Sequence, residues 1–136
     1  MNSDAIVEFV KSQRSLHLYK NIQDAFVYVL KKFKPEDFEN IKSNLIIMAF
    51  HEGVKGQVMH FPPRIDNFAV MQLYIPSEMP DDVLRHVIAH EFGHVLQGRN
   101  SEDSDGDSLE NDANEFAKSL GFGRSIKISN WLGSHK

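Results

Sequence analysis

The sequence contains no cysteine. Disulfides, thiolate zinc sites, iron–sulfur clusters and a cysteine nucleophile are therefore excluded. It has no internal repeat and no low-complexity linker. No apolar run approaches the roughly 20 residues that a membrane helix needs. Asp4 and Glu8 interrupt the N-terminal segment MNSDAIVEFVKSQ, which does not read as a signal peptide. An excess of positive charge is also missing. The net charge of -4 speaks against a nucleic-acid binder working through bulk charge, and no nucleic-acid motif is readable. What remains is a chain of 136 residues, 41% hydrophobic and 25% charged. That balance predicts one soluble, cytoplasmic domain over 1–136, large enough for a single core.

Two enrichments stand out against these absences. Histidine occurs seven times. Of 19 acidic residues, seven fall in one stretch: Glu102, Asp103, Asp105, Asp107, Glu110, Asp112 and Glu115. The periodicity orders the chain. Residues 3–13 read as a helix with Ser3 as a candidate N-cap, and 22–33 as a second, capped by Asn21 and stopped by Pro35. PEDFENIK follows as a short helix or turn. Then the pattern becomes that of strands. LIIMAF (45–50) is an apolar, β-branched run, EGVKG (52–56) a turn, and QVMHF (57–61) a partner strand ended by Pro62 and Pro63. In the third strand, 67–75, Ala69, Met71, Leu73 and Ile75 alternate toward a core. From Pro80 a helical period returns and runs to Gly98. An acidic loop leads to a last helix, 109–121, and the tail 122–136 has no clear period. The expected class is α+β: N-terminal helices, a small three-stranded sheet, then two helices.

The first of those two helices carries His90-Glu91-Phe92-Gly93-His94, the pattern HExxH. Residues four apart lie on one helix face, so both imidazoles can reach one metal ion. Two neutral ring nitrogens suit zinc. Glu91 lies further round the helix and can reach the metal-bound water. There it would take the water's proton as the water attacks a polarised carbonyl, then pass it to the leaving amine. Composition alone would produce this pattern in about 2% of such chains. The apolar flanks make this a core helix, where a metal-free His-Glu-His cluster would be costly to bury.

A catalytic zinc ion needs a third protein ligand and an open position. Glu110 is the best placed on helix-face geometry, with Glu115, Asp112 and Asp107 as competitors. Ala113 and Ala117 are small and four apart, so their helix can pack closely against the first. Asn114, one turn after Glu110, can orient a histidine ligand through its ring N–H.

HEFGH followed by ExxANxFA resembles the gluzincin metallopeptidases, and most of all the ImmA/IrrE family of small HExxH peptidases. Minimal, zymogen-like gluzincins are a close alternative. The likeness covers roughly residues 73–120, and the sequence departs from the family's pattern after Ala117, where SLGFG (119–123) stands in place of the usual continuation. It implies a zincin-like fold with one zinc ion on His90, His94 and Glu110. It also implies Glu91 as general base, Asn114 as a histidine-orienting residue, and a peptide or protein substrate. A different expectation is a non-catalytic or regulatory zinc-binding protein that acts through a protein partner.

Other residues carry weaker expectations. His86, one turn before His90, could bind substrate or stabilise an oxyanion, as could Tyr74 and His60 on the strands. Strand 67–75, if an edge, could pair with an extended peptide. The segment DSDGD (103–107) fails the calcium-loop pattern because its glycine comes too early. Lys31, Lys32 and Lys34 suit a solvated helix end. Trp131 would dock the tail on the core, or the tail would cover the cleft.

Overall fold

Six helices and a three-stranded mixed sheet make an α+β chain among the residues described by a computed structural model, 3–50, 55–60, 69–97 and 106–134. Of Lys55, Met59 and His60 the backbone alone is described. Residues 52–54 of the expected turn, Pro62, Pro63, Gly98 and residues 103–105 of DSDGD lie outside the described residues.

Helix α1 (Ser3–Ser12) buries Ile6, Phe9 and Val10 on one stripe. A single 3₁₀ turn (Arg14–Leu16) leads to α2 (Lys20–Leu30), which buries Ile22, Ala25, Phe26, Val29 and Leu30. Two expected boundaries shift here. Tyr19, not Asn21, is the N-cap of α2, and no side chain caps it. Pro35 does not stop α2, which ends at Leu30. It opens α3 (Pro35–Lys42), where its fixed φ and missing N–H suit the first helical position.

The sheet runs β1 (Leu45–Phe50), β3 (Ala69–Tyr74), β2 (Lys55–His60), with β1 parallel and β2 antiparallel to β3. The expected hairpin of the first two strands does not form. The third strand takes the centre, paired on both sides, with Ala69, Met71 and Leu73 forming a fully buried face. That placement also means the third strand is not a free edge. The outer edge of β1 is closed by side chains. Gln13 donates through Nε2 to the Leu45 carbonyl (3.1 Å) and accepts from the Ile47 N–H through Oε1 (2.9 Å). Ser15 Oγ accepts from the Ala49 N–H at 2.7 Å. These contacts mimic a neighbouring strand and block strand addition there.

Helix α4 (Asp81–Gln97) packs on β2 and β3 and against α2 and α5 (Gly106–Ser119). Phe92, fully buried, is its anchor: its ring meets Phe26 at 5.7 Å and Phe33 at 5.0 Å, both edge to face. Helix α5 ends in a left-handed cap. Gly121 has φ +96, the Phe122 N–H donates to the Ala117 carbonyl (2.9 Å) and the Gly121 N–H to Lys118 (3.0 Å). The tail, expected without period, forms α6 (Ile126–Ser134), which buries Ile128 and Leu132 against the core. Trp131 is half-buried there, and Lys127 pairs with Asp82 at the start of α4 (3.1 Å). The tail thus docks on the N-terminal half of α4. No helix among the described residues is long and apolar enough to cross a membrane.

Candidate metal centre

Helical geometry separates the motif's jobs. Phe92, two residues from each histidine, faces the core, so His90 and His94 share the opposite side. Their rings lie 4.8 Å apart. Helix α5 meets this face closely. A Cβ on Gly93 would sit 2.9 Å from the Ala113 Cα, so the absence of a side chain there lets the two backbones approach. Ala113 and Ala117 are both fully buried in that contact, as their small size suggests. The approach brings Glu110 across. Its Oε1 lies 2.9 Å from His94 Nε2 and its Oε2 3.1 Å from His90 Nε2. One ligand atom from each of the three residues falls within 4.8 Å of the others, a spacing at which the three can hold one metal ion. Asp112 and Glu115, the competing carboxylates, are exposed on α5 and stand outside this cluster. So does Asp107.

The far nitrogens of both rings are engaged. His90 Nδ1–H donates to Asn114 Oδ1 at 2.8 Å. His94 Nδ1–H donates to Gln97 Oε1 at 2.9 Å. The second direction is set by Gln97 itself, because its Nε2 donates to the Leu109 carbonyl at 2.8 Å, which leaves its oxygen toward the ring. With protons on both Nδ1 atoms, both Nε2 atoms carry lone pairs. They face one another at 3.2 Å with the Glu110 carboxylate between them. Three acceptors so arranged repel unless a cation joins them. Burial also pushes the His90 pKa down, with the nearby Glu110 charge opposing it, and that favours the neutral ligand form.

Glu91 is 5% exposed, and its Oε1 has no hydrogen-bond partner. Burial raises its pKa to about 7, Glu110 adding to the rise and His94 opposing it. Strand β2 crosses directly over it: a Cβ on Gly56 would sit 2.6 Å from the Glu91 Cδ. Gly56 and Lys55 belong to a strand and not to the expected turn, and the missing side chain at Gly56 leaves room for the Glu91 carboxylate. Glu91, His94 and Glu110 open into a cavity of about 270 Å³ walled by Gly56, Gln57 and Val58 of β2 and by Gln97 and Leu109. A larger cavity of about 380 Å³ lies between α1 and α2, lined by valines and lysines with no histidine or paired carboxylates.

The weaker candidates are placed elsewhere. His86 is buried, its Nδ1–H donating to the Phe122 carbonyl at 2.8 Å, so it fastens the tail. Tyr74 stacks on Phe50 at 5.2 Å. Neither lines the cavity, nor does any residue of α6. His60 lies on β2, where only its backbone is described. Two contributors escaped the sequence reading. Gln97 stands three residues after His94, a helical spacing that could have flagged it. Gly56 gave only the ordinary signal of a turn. The chain matches no family model, no curated protein and no solved structure.

Proposed function

We propose that the chain is a zinc-dependent metallopeptidase of zincin-like fold, with His90, His94 and Glu110 as ligands of one zinc ion and Glu91 as general base. The observation that carries this reading is the convergence of two imidazole lone pairs and a carboxylate, both imidazoles being held by amide oxygens. Two histidines and one carboxylate suit zinc. A bound zinc ion would supply Lewis acidity, polarising the scissile carbonyl and acidifying an attacking water.

The chain's own residues do the rest. Glu91 removes the water's proton and hands it to the leaving amine. In the metal-free protein burial raises its pKa to about 7, and a bound cation would draw it back down toward the carboxylate form that accepts the proton. Asn114 and Gln97 hold the ligand rings. The substrate is a peptide or protein segment in extended form, laid along β2. Among the described residues that strand pairs with β3 alone, and it walls the cavity. The proposed pairing thus falls on β2, beside Glu91, and not on the central third strand.

The alternative, a regulatory zinc-binding protein without catalysis, predicts zinc but no use for Glu91. The test is zinc content and hydrolysis of a mixed peptide library for wild type, His90→Ala, Glu110→Ala and Glu91→Gln. Stoichiometric zinc lost in the first two variants, and retained without hydrolysis in Glu91→Gln, is expected. Undiminished cleavage by Glu91→Gln, or a wild type free of zinc, would sink the proposal.

A further inference from the structure

The geometry points to Gln97 as a positioning residue that keeps His94 in its metal-binding tautomer and couples that ring to the helix bearing Glu110. This inference rests on the reading of His90, His94 and Glu110 as zinc ligands.

A neutral imidazole carries one proton on either nitrogen, and its hydrogen-bond partners decide which. His94 has a competing partner on each side. Glu110 Oε1, 2.9 Å from Nε2, would accept an Nε2–H and form a closed pair. A proton there removes the lone pair that a metal ion needs. Gln97 Oε1, 2.9 Å from Nδ1, draws the proton to the opposite side. An amide can turn over and present its NH₂ instead, which would reverse the preference. The Leu109 carbonyl prevents this, because it accepts from Gln97 Nε2 at 2.8 Å and can do nothing but accept.

That second bond gives Gln97 its other role. Leu109 precedes Glu110 on α5, while Gln97 closes α4. One side chain therefore touches a ring on the first helix and the backbone beside a carboxylate on the second. Asn114 holds His90 from the opposite direction, α5 to α4 (2.8 Å). The two amides clasp the helices on either side of the ligand atoms. Each is half-buried, so water competes little for its bonds.

The test compares the full-length wild type with Gln97→Met and Gln97→Glu. Methionine keeps the length and loses both polar ends. Glutamate keeps an acceptor for Nδ1–H and loses the donor to Leu109. Zinc affinity is measured by competition with a chromophoric chelator. In the zinc-loaded protein, solvent exchange of the His94 Nδ1–H proton is followed by NMR. Gln97→Met is expected to weaken zinc binding by about 10–100-fold, the usual cost of losing a ligand's hydrogen-bond partner. It should also expose the Nδ1–H proton to fast exchange. Gln97→Glu should restore slow exchange and most of the affinity, a rescue that a packing role would not produce. Wild-type affinity in Gln97→Met, or no rescue by a folded Gln97→Glu, overturns the role of Gln97 and leaves the metal centre standing. A wild type that binds no zinc overturns both, so the two failures are distinguishable.

Discussion

Gly93→Ala tests how closely α4 and α5 must approach. In an exposed helix this change stabilises by about 1 kcal/mol, through alanine's better helix propensity. Here the new Cβ would stand 2.9 Å from the Ala113 Cα, 3.2 Å from its Cβ and 3.3 Å from its carbonyl oxygen. The nearest of these is backbone, which cannot rotate away, so α5 must shift outward by about 0.5–1 Å to restore contact distance. Overpacking of this kind costs about 1–3 kcal/mol. The clash therefore outweighs the propensity gain, for a net loss of up to about 2 kcal/mol. For 136 residues this lowers Tm by up to about 8 °C. The metal centre should suffer more than the fold. Glu110 lies one turn before Ala113 and Asn114 directly after it, so both move with the shifted helix. Zinc affinity should fall by about 10-fold or more. Calorimetry of the metal-free protein and chelator competition read the two effects separately. A variant with raised Tm and unchanged zinc affinity would refute the claim that this glycine sets the spacing of the ligands.

Gly56→Ala should push the Glu91 carboxylate from beneath β2, since the new methyl stands 2.6 Å from Cδ. Zinc should stay bound while peptide hydrolysis falls by about 100-fold, the scale of a 1 Å misplacement; unchanged kcat would contradict the contact. Glu91 also gives a pH signature in the metal-free protein. Its pKa rises from 4.5 unfolded to about 7 folded, so the unfolded chain releases the proton first as pH rises. The stability of wild type relative to Glu91→Gln should therefore decline from pH 4.5 and level off above about 7. A difference flat in pH, by denaturant titration, would show that the carboxyl is not desolvated. Gln13→Ala should strip the edge of β1, leaving the Ile47 N–H and Leu45 carbonyl without their side-chain partner. A loss of about 1–3 kcal/mol is expected, with new concentration-dependent association. Sedimentation matching wild type would argue against edge protection.

The parts of the centre legible in the sequence are those fixed by spacing within one helix. His90 and His94 share a face because they are four apart, and Asn114 follows Glu110 for the same reason. The small residues Ala113 and Ala117 announced a close helix contact. Relations across elements were not legible. Nothing local says that Gln97 meets the carbonyl of Leu109, or that Gly56 lies beneath no side chain of its own so that Glu91 can fit. The strand order failed for the same cause. The nearest strand in sequence is the cheapest partner for a hairpin, but the third strand pairs with both of the others. His86 and Tyr74 looked available because proximity along the chain was the only guide. Their actual partners, Phe122 and Phe50, come from other segments.

A catalytic centre and a structural one make different demands on the same ligands. A zinc ion held for structure alone is normally enclosed by four protein ligands. Here three donor side chains converge among the described residues, and the Glu110 side chain is 60% exposed toward solvent. Among the described residues the cluster opens into a cavity. Glu91 weighs in the same direction. A buried carboxyl without a partner on Oε1 costs free energy that a scaffold gains nothing by spending. It lines the same cavity as His94 and Glu110. β1 has its edge covered by Gln13 and Ser15, whereas β2 borders the cavity. An exposed edge is a hazard unless a chain is meant to join it. In the proposed function, the β2 edge beside Glu91 is where an extended peptide would lie, with its carbonyl toward the three ligands.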